Sequence, residues 1–344
     1  RAGASGGERG GGEGRGDPQS PPRGIMSEWN YFVTAQRPTA VTHALGGLRF
    51  TSPKPRDLVV VQGPRIKVLC ATASSSSGKG LETVCDVPVH GRVALLEVIR
   101  PADGNSDLLL LCTEKRQLAV IRYSASLGRI VTSAVGSLQD PAGRPVDQPP
   151  LCACDSSGKV AACYLYEGLL KLVDLRELSV GGGAGGQTDG DESVAAGVTA
   201  MDLGGGAALM EQLREVTRVT ELTGGSGLIF SHGFAEARLL DLTFLTPGNS
   251  SSSGGVGMED PPPVLATLHA DASGQRFLST WSVDLRERRL LPCPLGAFAL
   301  QAGASHVASV PATLGGGCLV LGGATAAYYN SAGLLTGTVA GPLK

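Results

Sequence analysis

The chain has 344 residues, 42% of them hydrophobic, and a formal net charge of −2 from 29 Lys and Arg against 31 Asp and Glu. That length and apolar content suffice for one large domain or two ordinary ones. The near-balanced charge excludes a surface that grips nucleic-acid backbone by itself, which needs a clustered basic excess.

The first 25 residues, RAGASGGERGGGEGRGDPQSPPRGI, hold too little apolar area to offset the entropy of ordering them. They lack the apolar h-region of a signal peptide and carry three acids, unlike a transit peptide. Residues 1–25 are therefore expected to be a disordered or extraneous leader, and Met26 the functional start of one domain over 26–344.

Beyond the leader, short β-like runs dominate. DLVVVQGPRIKVLC (57–70) reads as two strands around a Gly-Pro turn, and DLLLLCTEKRQLAVIRY (107–123) as strand, polar turn and strand. KVAACYLYEGLLKLVDL (159–175), PVLATLHADASGQRFLSTWSVDL (263–285) and GGCLVLGGATAAYYN (316–330) repeat the plan. Single strands are expected between them at 92–100, 237–245 and 305–312. The longest apolar runs, such as DLLLLC, fall far short of the roughly 20 residues of a membrane span, so a soluble chain without membrane contact is expected.

The hairpins begin near residues 57, 107, 159, 263 and 317, a spacing of about 50 with one interval doubled. The doubled interval holds the Gly-rich stretch SVGGGAGGQTDGDESVAAGV and a short helical pattern over 207–219. Loop insertions are thus expected at 181–225 and 247–257. They account for much of the glycine, 50 of 344 residues, about twice the usual share. A four-stranded antiparallel unit recurring every ~40–50 residues is the signature of a β-propeller blade. A β-sandwich has no reason to keep a fixed period. The predicted fold is all-β, with about five blades, ending before a ring is closed; the chain reads as the N-terminal part of something longer.

Chemistry-bearing motifs are sparse. SSSSGKG (74–80) resembles the end of a phosphate loop but has Ala73 where the loop needs glycine. Cys152 and Cys154 have no second Cys or His pair nearby at zinc spacing and read as buried strand cysteines. All eight cysteines fit a reducing compartment, cytosol or nucleus, since no secretory signal accompanies them. The five histidines are scattered singly. Asp241 and Asp284 read as solvated or turn-capping residues. No enzyme, metal or cofactor site is expected; the residues point to a propeller that binds proteins.

NYFVTAQRPTAV (30–41) resembles the N-terminus of the damage-specific DNA-binding protein 1 family. The likeness continues in order through GRVALLEVIRPADGNSDLLLLCTEKRQLAVIRY (91–123), VGSLQDPAGRP (135–145), YLYEGLLKLVDL (164–175) and VASVPATLGGGCLVLGGATAAYYN (307–330). The resemblance implies a seven-bladed propeller, the first of three. It implies a non-catalytic adaptor of cullin-4 ubiquitin ligases in the nucleus and cytoplasm. Such an adaptor docks WD-repeat substrate receptors and meets damaged DNA only through a receptor, in nucleotide-excision repair. The three-propeller subunits of the cleavage-polyadenylation and splicing machineries share this architecture and are the alternative. In the matching loop LQDPAGRP, Gln139, Asp140, Gly143, Arg144 and Pro145 are the candidate partner-binding residues, because Arg on a rigid loop is a favoured interface anchor. The other reading of Asp140 and Gly143 is that they shape an inter-strand turn. Tyr166, Gly168, Lys171, Tyr328 and Asn330 read as hairpin architecture.

Overall fold

The apolar runs of the sequence become the central strands of five sheets, each built on four antiparallel strands. A computed structural model describes residues 40–72, 80–101, 106–176, 178, 220–222, 228–234, 238–246, 261–330 and 335–340, all within the unit Thr39–Lys344. The first blade is β1 (Val41–Leu48), β2 (Asp57–Gln62), β3 (Arg65–Thr72) and β4 (Gly80–Pro88). The second is β5 (Val93–Ile99), β6 (Leu108–Thr113), β7 (Gln117–Ser124) and β8 (Arg129–Ser137). The third is β9 (Leu151–Cys154), β10 (Val160–Tyr166) and β11 (Leu169–Asp174); after the short β12 (Thr220–Leu222), its outer strand is β13 (Ile229–Gly233). The fourth is β14 (Arg238–Leu245), β15 (Val264–Ala270), β16 (Arg276–Asp284) and β17 (Arg289–Ala299). The fifth is β18 (Ala304–Ser309), β19 (Cys318–Gly322), β20 (Thr325–Tyr329) and β21 (Leu335–Ala340).

The leading strands touch in succession, β1 to β5, β5 to β9, β9 to β14 and β14 to β18, so consecutive blades stand side by side with their first strands innermost. Each gap is filled by an apolar core. Val59 and Val61 meet Leu109 and Leu111 between the first two blades. Leu110 and Leu118 meet Cys163 and Leu165 between the second and third. Tyr164 and Leu172 meet Leu242 and Phe244 between the third and fourth, and Leu268 and Leu278 meet Val307 and Val320 between the last two.

The five hairpins of the sequence are the second and third strands of each blade. The single runs at 92–100, 237–245 and 305–312 are the innermost strands β5, β14 and β18, the last ending at Ser309. Asp241 is not solvated as expected. Its carboxylate accepts the backbone N–H of Val307 at 2.8 Å, joining the fourth blade to the fifth, and desolvation raises its pKa. Asp284 does cap a turn, accepting the backbone N–H groups of Arg286 and Glu287, both at 3.0 Å.

The helical pattern over 207–219 and the insertion 247–257 lie outside the described residues. So does the insertion 181–225, except at 220–222. There a strand stands where a loop was expected: β12 runs parallel to β8, with Thr220, Glu221 and Leu222 opposite Ala134, Val135 and Gly136. Leu222 is fully buried in the core between the second and third blades. Gly136 permits this approach, since a Cβ there would overlap the Leu222 carbonyl oxygen. Leu222→Ala should therefore cost about 2–4 kcal/mol of unfolding free energy. Gly136→Val, which displaces the strand, should cost a similar amount. The double variant in urea denaturation should lose little more than either single one, because both remove one contact.

Candidate docking site

The connection from β8 to β9, residues 138–150, is anchored before it is exposed. Leu138 is fully buried between the second and third blades, and its N–H donates to the Arg116 carbonyl at 2.9 Å. Asp140 then closes a tight turn: its carboxylate accepts the Ala142 N–H and its carbonyl the Gly143 N–H, each at 3.1 Å.

The turn rests on Tyr166 at the end of β10. The Tyr166 hydroxyl accepts the Asp140 N–H at 3.1 Å, and a Cβ on Gly143 would lie 2.6 Å from the ring. Only glycine lets the backbone approach this closely. The Arg116 guanidinium covers the ring at 5.6 Å from its centroid. Tyr166 reaches this place through an irregularity in β10. The register with β11 passes from Tyr164–Leu170 to Tyr166–Leu169, leaving one residue extra on β10. The next stretch joins the blade edge: Pro145 bridges to Tyr166, Val146 donates its N–H to Leu165 at 3.2 Å, and Glu167 donates to the Arg144 carbonyl at 2.8 Å.

Beneath the turn lies a cation. Lys171 on β11 is 7% exposed and donates from Nζ to Asp140 Oδ2 at 2.7 Å and to the Ser231 hydroxyl of β13 at 2.9 Å. The Lys171 hydrogen bond, helped by the Ala142 N–H, holds the Asp140 carboxyl below its ordinary range. The five residues singled out in the sequence thus lie in one loop but differ in placement. Asp140 and Gly143 face inward and hold the turn. Gln139, Arg144 and Pro145 are exposed. Gln139 donates to the Lys115 carbonyl at 3.0 Å, and Arg144 pairs with Glu167 at 3.3 Å across a solvated surface, where an ion pair contributes little. Tyr166 and Lys171 are more than hairpin residues, since the turn is fastened to both. The signal in the sequence was a lysine inside the apolar run LLKLVD, which needs a buried partner to be stable.

Among the described residues, no group of three or more His, Cys, Asp or Glu is arranged to hold a metal ion, and no helix is long and apolar enough to cross a membrane.

Repeated four-stranded blades with an outward, braced connecting loop define a β-propeller scaffold. The family model described as the RSE1/DDB1/CPSF1 first beta-propeller matches residues 40–339, and the chain belongs to that family. The chain is 29% identical over 306 residues to DNA damage-binding protein 1b of Arabidopsis thaliana. It is 28% identical over the same length to DNA damage-binding protein 1 of Solanum lycopersicum and to that of Oryza sativa subsp. japonica. Each match covers 89% of this chain and 22% of the relative, so the chain spans about a fifth of the length of these curated proteins.

Lys171→Met removes the counter-ion and leaves Asp140 half-sheltered. The cost should be about 2–3 kcal/mol, below the ~3–5 of a fully buried pair because the Asp140 side chain is 22% exposed. Since the folded pKa of Asp140 is depressed, the ion pair contributes fully above the ordinary carboxylate value of 3.8 and is lost as pH falls through the lower folded value. The difference in unfolding free energy between wild type and Lys171→Met, measured by denaturant titration, should be flat from pH 7 to about pH 5 and shrink below about pH 4.

Proposed function

We propose that this chain is a receptor-docking propeller segment of a cullin-4 ubiquitin-ligase adaptor, non-catalytic and nuclear as well as cytoplasmic, with the loop 139–145 as one of its partner contacts. The observation that carries the reading is the family membership over 40–339, together with relatives whose names give damaged DNA as the target. The loop supports it physically. Its exposed Gln139, Arg144 and Pro145 stand on a turn fixed from below by Asp140, Gly143, Tyr166 and Lys171, so a partner would meet a surface that is already ordered. WD-repeat receptors are the proposed partners, and damaged DNA is met only through them.

A second reading keeps the architecture and changes the partners. The matching family model spans three kinds of large subunit, so RNA 3′-processing or splicing proteins would then dock on the same propeller.

Affinity capture of the tagged protein from cell extract separates the two. Cullin-4 together with WD-repeat receptors is the expected catch; recovery of cleavage-polyadenylation or splicing subunits instead would establish the second reading. In the same assay Arg144→Ala should reduce receptor recovery several-fold, an interface effect worth about 1–2 kcal/mol. Its melting temperature should stay that of the wild type, because the Arg144–Glu167 pair is solvated.

A further inference from the structure

Cys152 and Cys163 occupy directly opposite positions on β9 and β10, and their sulfurs lie 3.4 Å apart. The ladder decides what that proximity permits. The Asp155 N–H donates to the Val160 carbonyl at 2.9 Å, which makes 155 and 160 a hydrogen-bonded pair. Pairs alternate along an antiparallel ladder, so 154 and 161 are non-hydrogen-bonded, 153 and 162 hydrogen-bonded, and 152 and 163 non-hydrogen-bonded. In pairs of that last kind the Cα atoms are about 4.5 Å apart and the side chains lean together. That separation is inside the ~4.4–6.8 Å range of disulfides. Cys154 shares the face of Cys152, but residues two apart on one strand are about 6.8 Å apart, at the edge of that range.

We infer that Cys152 and Cys163 form an oxidative modification site, a dithiol that a small peroxide converts to a cross-strand disulfide in the third blade. Cys152 is the entry point, being partly exposed where Cys163 is fully buried. Its thiolate attacks one peroxide oxygen, giving a sulfenic acid and releasing hydroxide. The Cys163 sulfur then attacks the Cys152 sulfur, an S–S bond forms and the S–O bond breaks. The two thiol protons end in water, so one peroxide and two thiols yield one disulfide and two waters. Both thiols resist ionisation, Cys152 through its hydrogen bond with Cys154 and burial, Cys163 through its hydrogen bond with Cys152 and burial. The reaction is accordingly slow at neutral pH and accelerates with the thiolate fraction.

The test is hydrogen peroxide treatment of the full reduced chain, read by intact mass and by tryptic peptides. Cleavage after Lys159 places the two cysteines on separate peptides, so the bond appears as a linked pair. A loss of about 2 Da that a thiol reductant reverses, with Cys152 joined to Cys163, is expected. The rate should rise about tenfold per pH unit between roughly pH 7 and 9. Cys154→Ser should keep the linkage. Cys163→Ser should abolish it and leave Cys152 gaining about 16 Da or more. Persistence of the 2 Da loss in Cys163→Ser, or oxygen addition at Cys152 in the wild type with no linked peptide, would overturn the inference. The wild-type peptide map decides alone should a variant fail to fold.

Discussion

The fold depends on burying both faces of a blade at once. A sheet with one wet face tolerates imprecision on that side, but central strands such as β6, β10 and β11 have no such side. On β10, Val160, Ala162 and Tyr164 pack toward the fourth blade, while Ala161, Cys163 and Leu165 pack toward the second. A one-residue slip would exchange the two sets and mismatch both gaps. This is why the central strands read as unbroken apolar runs rather than as alternation. The same demand gives meaning to the single break in β10. With one residue extra before it, Tyr166 joins the core shared with the second blade, where the Arg116 turn and the 138–150 loop also stand.

Polar groups between the blades obey the same economy. Asp107 is 1% exposed, yet it accepts the Arg49 backbone N–H at 2.8 Å and its guanidinium at 3.2 Å, stitching the first blade to the second. Asp241 does the equivalent between the fourth and fifth through the Val307 N–H. A carboxylate shielded between blades is tolerable where it satisfies a backbone donor of the neighbouring blade. Inter-blade adhesion is thus apolar along the strands and, in these gaps, carboxylate-mediated at particular backbone donors.

How much of this was legible follows from what each strand faces. VAACYLY, DLLLLC and DLVVVQ announce themselves because they touch protein on both sides. GLETVCDVP, which became β4, does not: seven of its nine residues are exposed, and its composition is that of a loop. β12 was illegible for another reason, since three residues pairing in parallel with a strand more than 80 positions earlier leave no local period to detect. In the docking loop, the turn residues Asp140 and Gly143 could be read from LQDPAGRP. Their partners Tyr166 and Lys171 could not, because a bulge and a buried ion pair are facts of three dimensions, separated here by 26 and 31 residues.

The third blade carries an unusual share of specific chemistry for one four-stranded sheet, and the reason is geometric. The 138–150 loop enters β9 at Leu151, one residue before Cys152, and the loop's other support, Tyr166, stands three residues after Cys163. The β9–β10 ladder is therefore the base on which the loop is mounted. Lys171 extends that base through β11 to Ser231 on β13, so the turn at Asp140 is tied to the outer strand as well. Whatever stiffens or loosens the β9–β10 pairing acts on the loop where it enters Leu151 and, through Tyr166, along Asp140, Gly143 and Pro145, while the ion pair holds Asp140 itself. A surface mounted this way keeps its shape as long as the third blade does, and its order is inherited from the packing of the blades on either side.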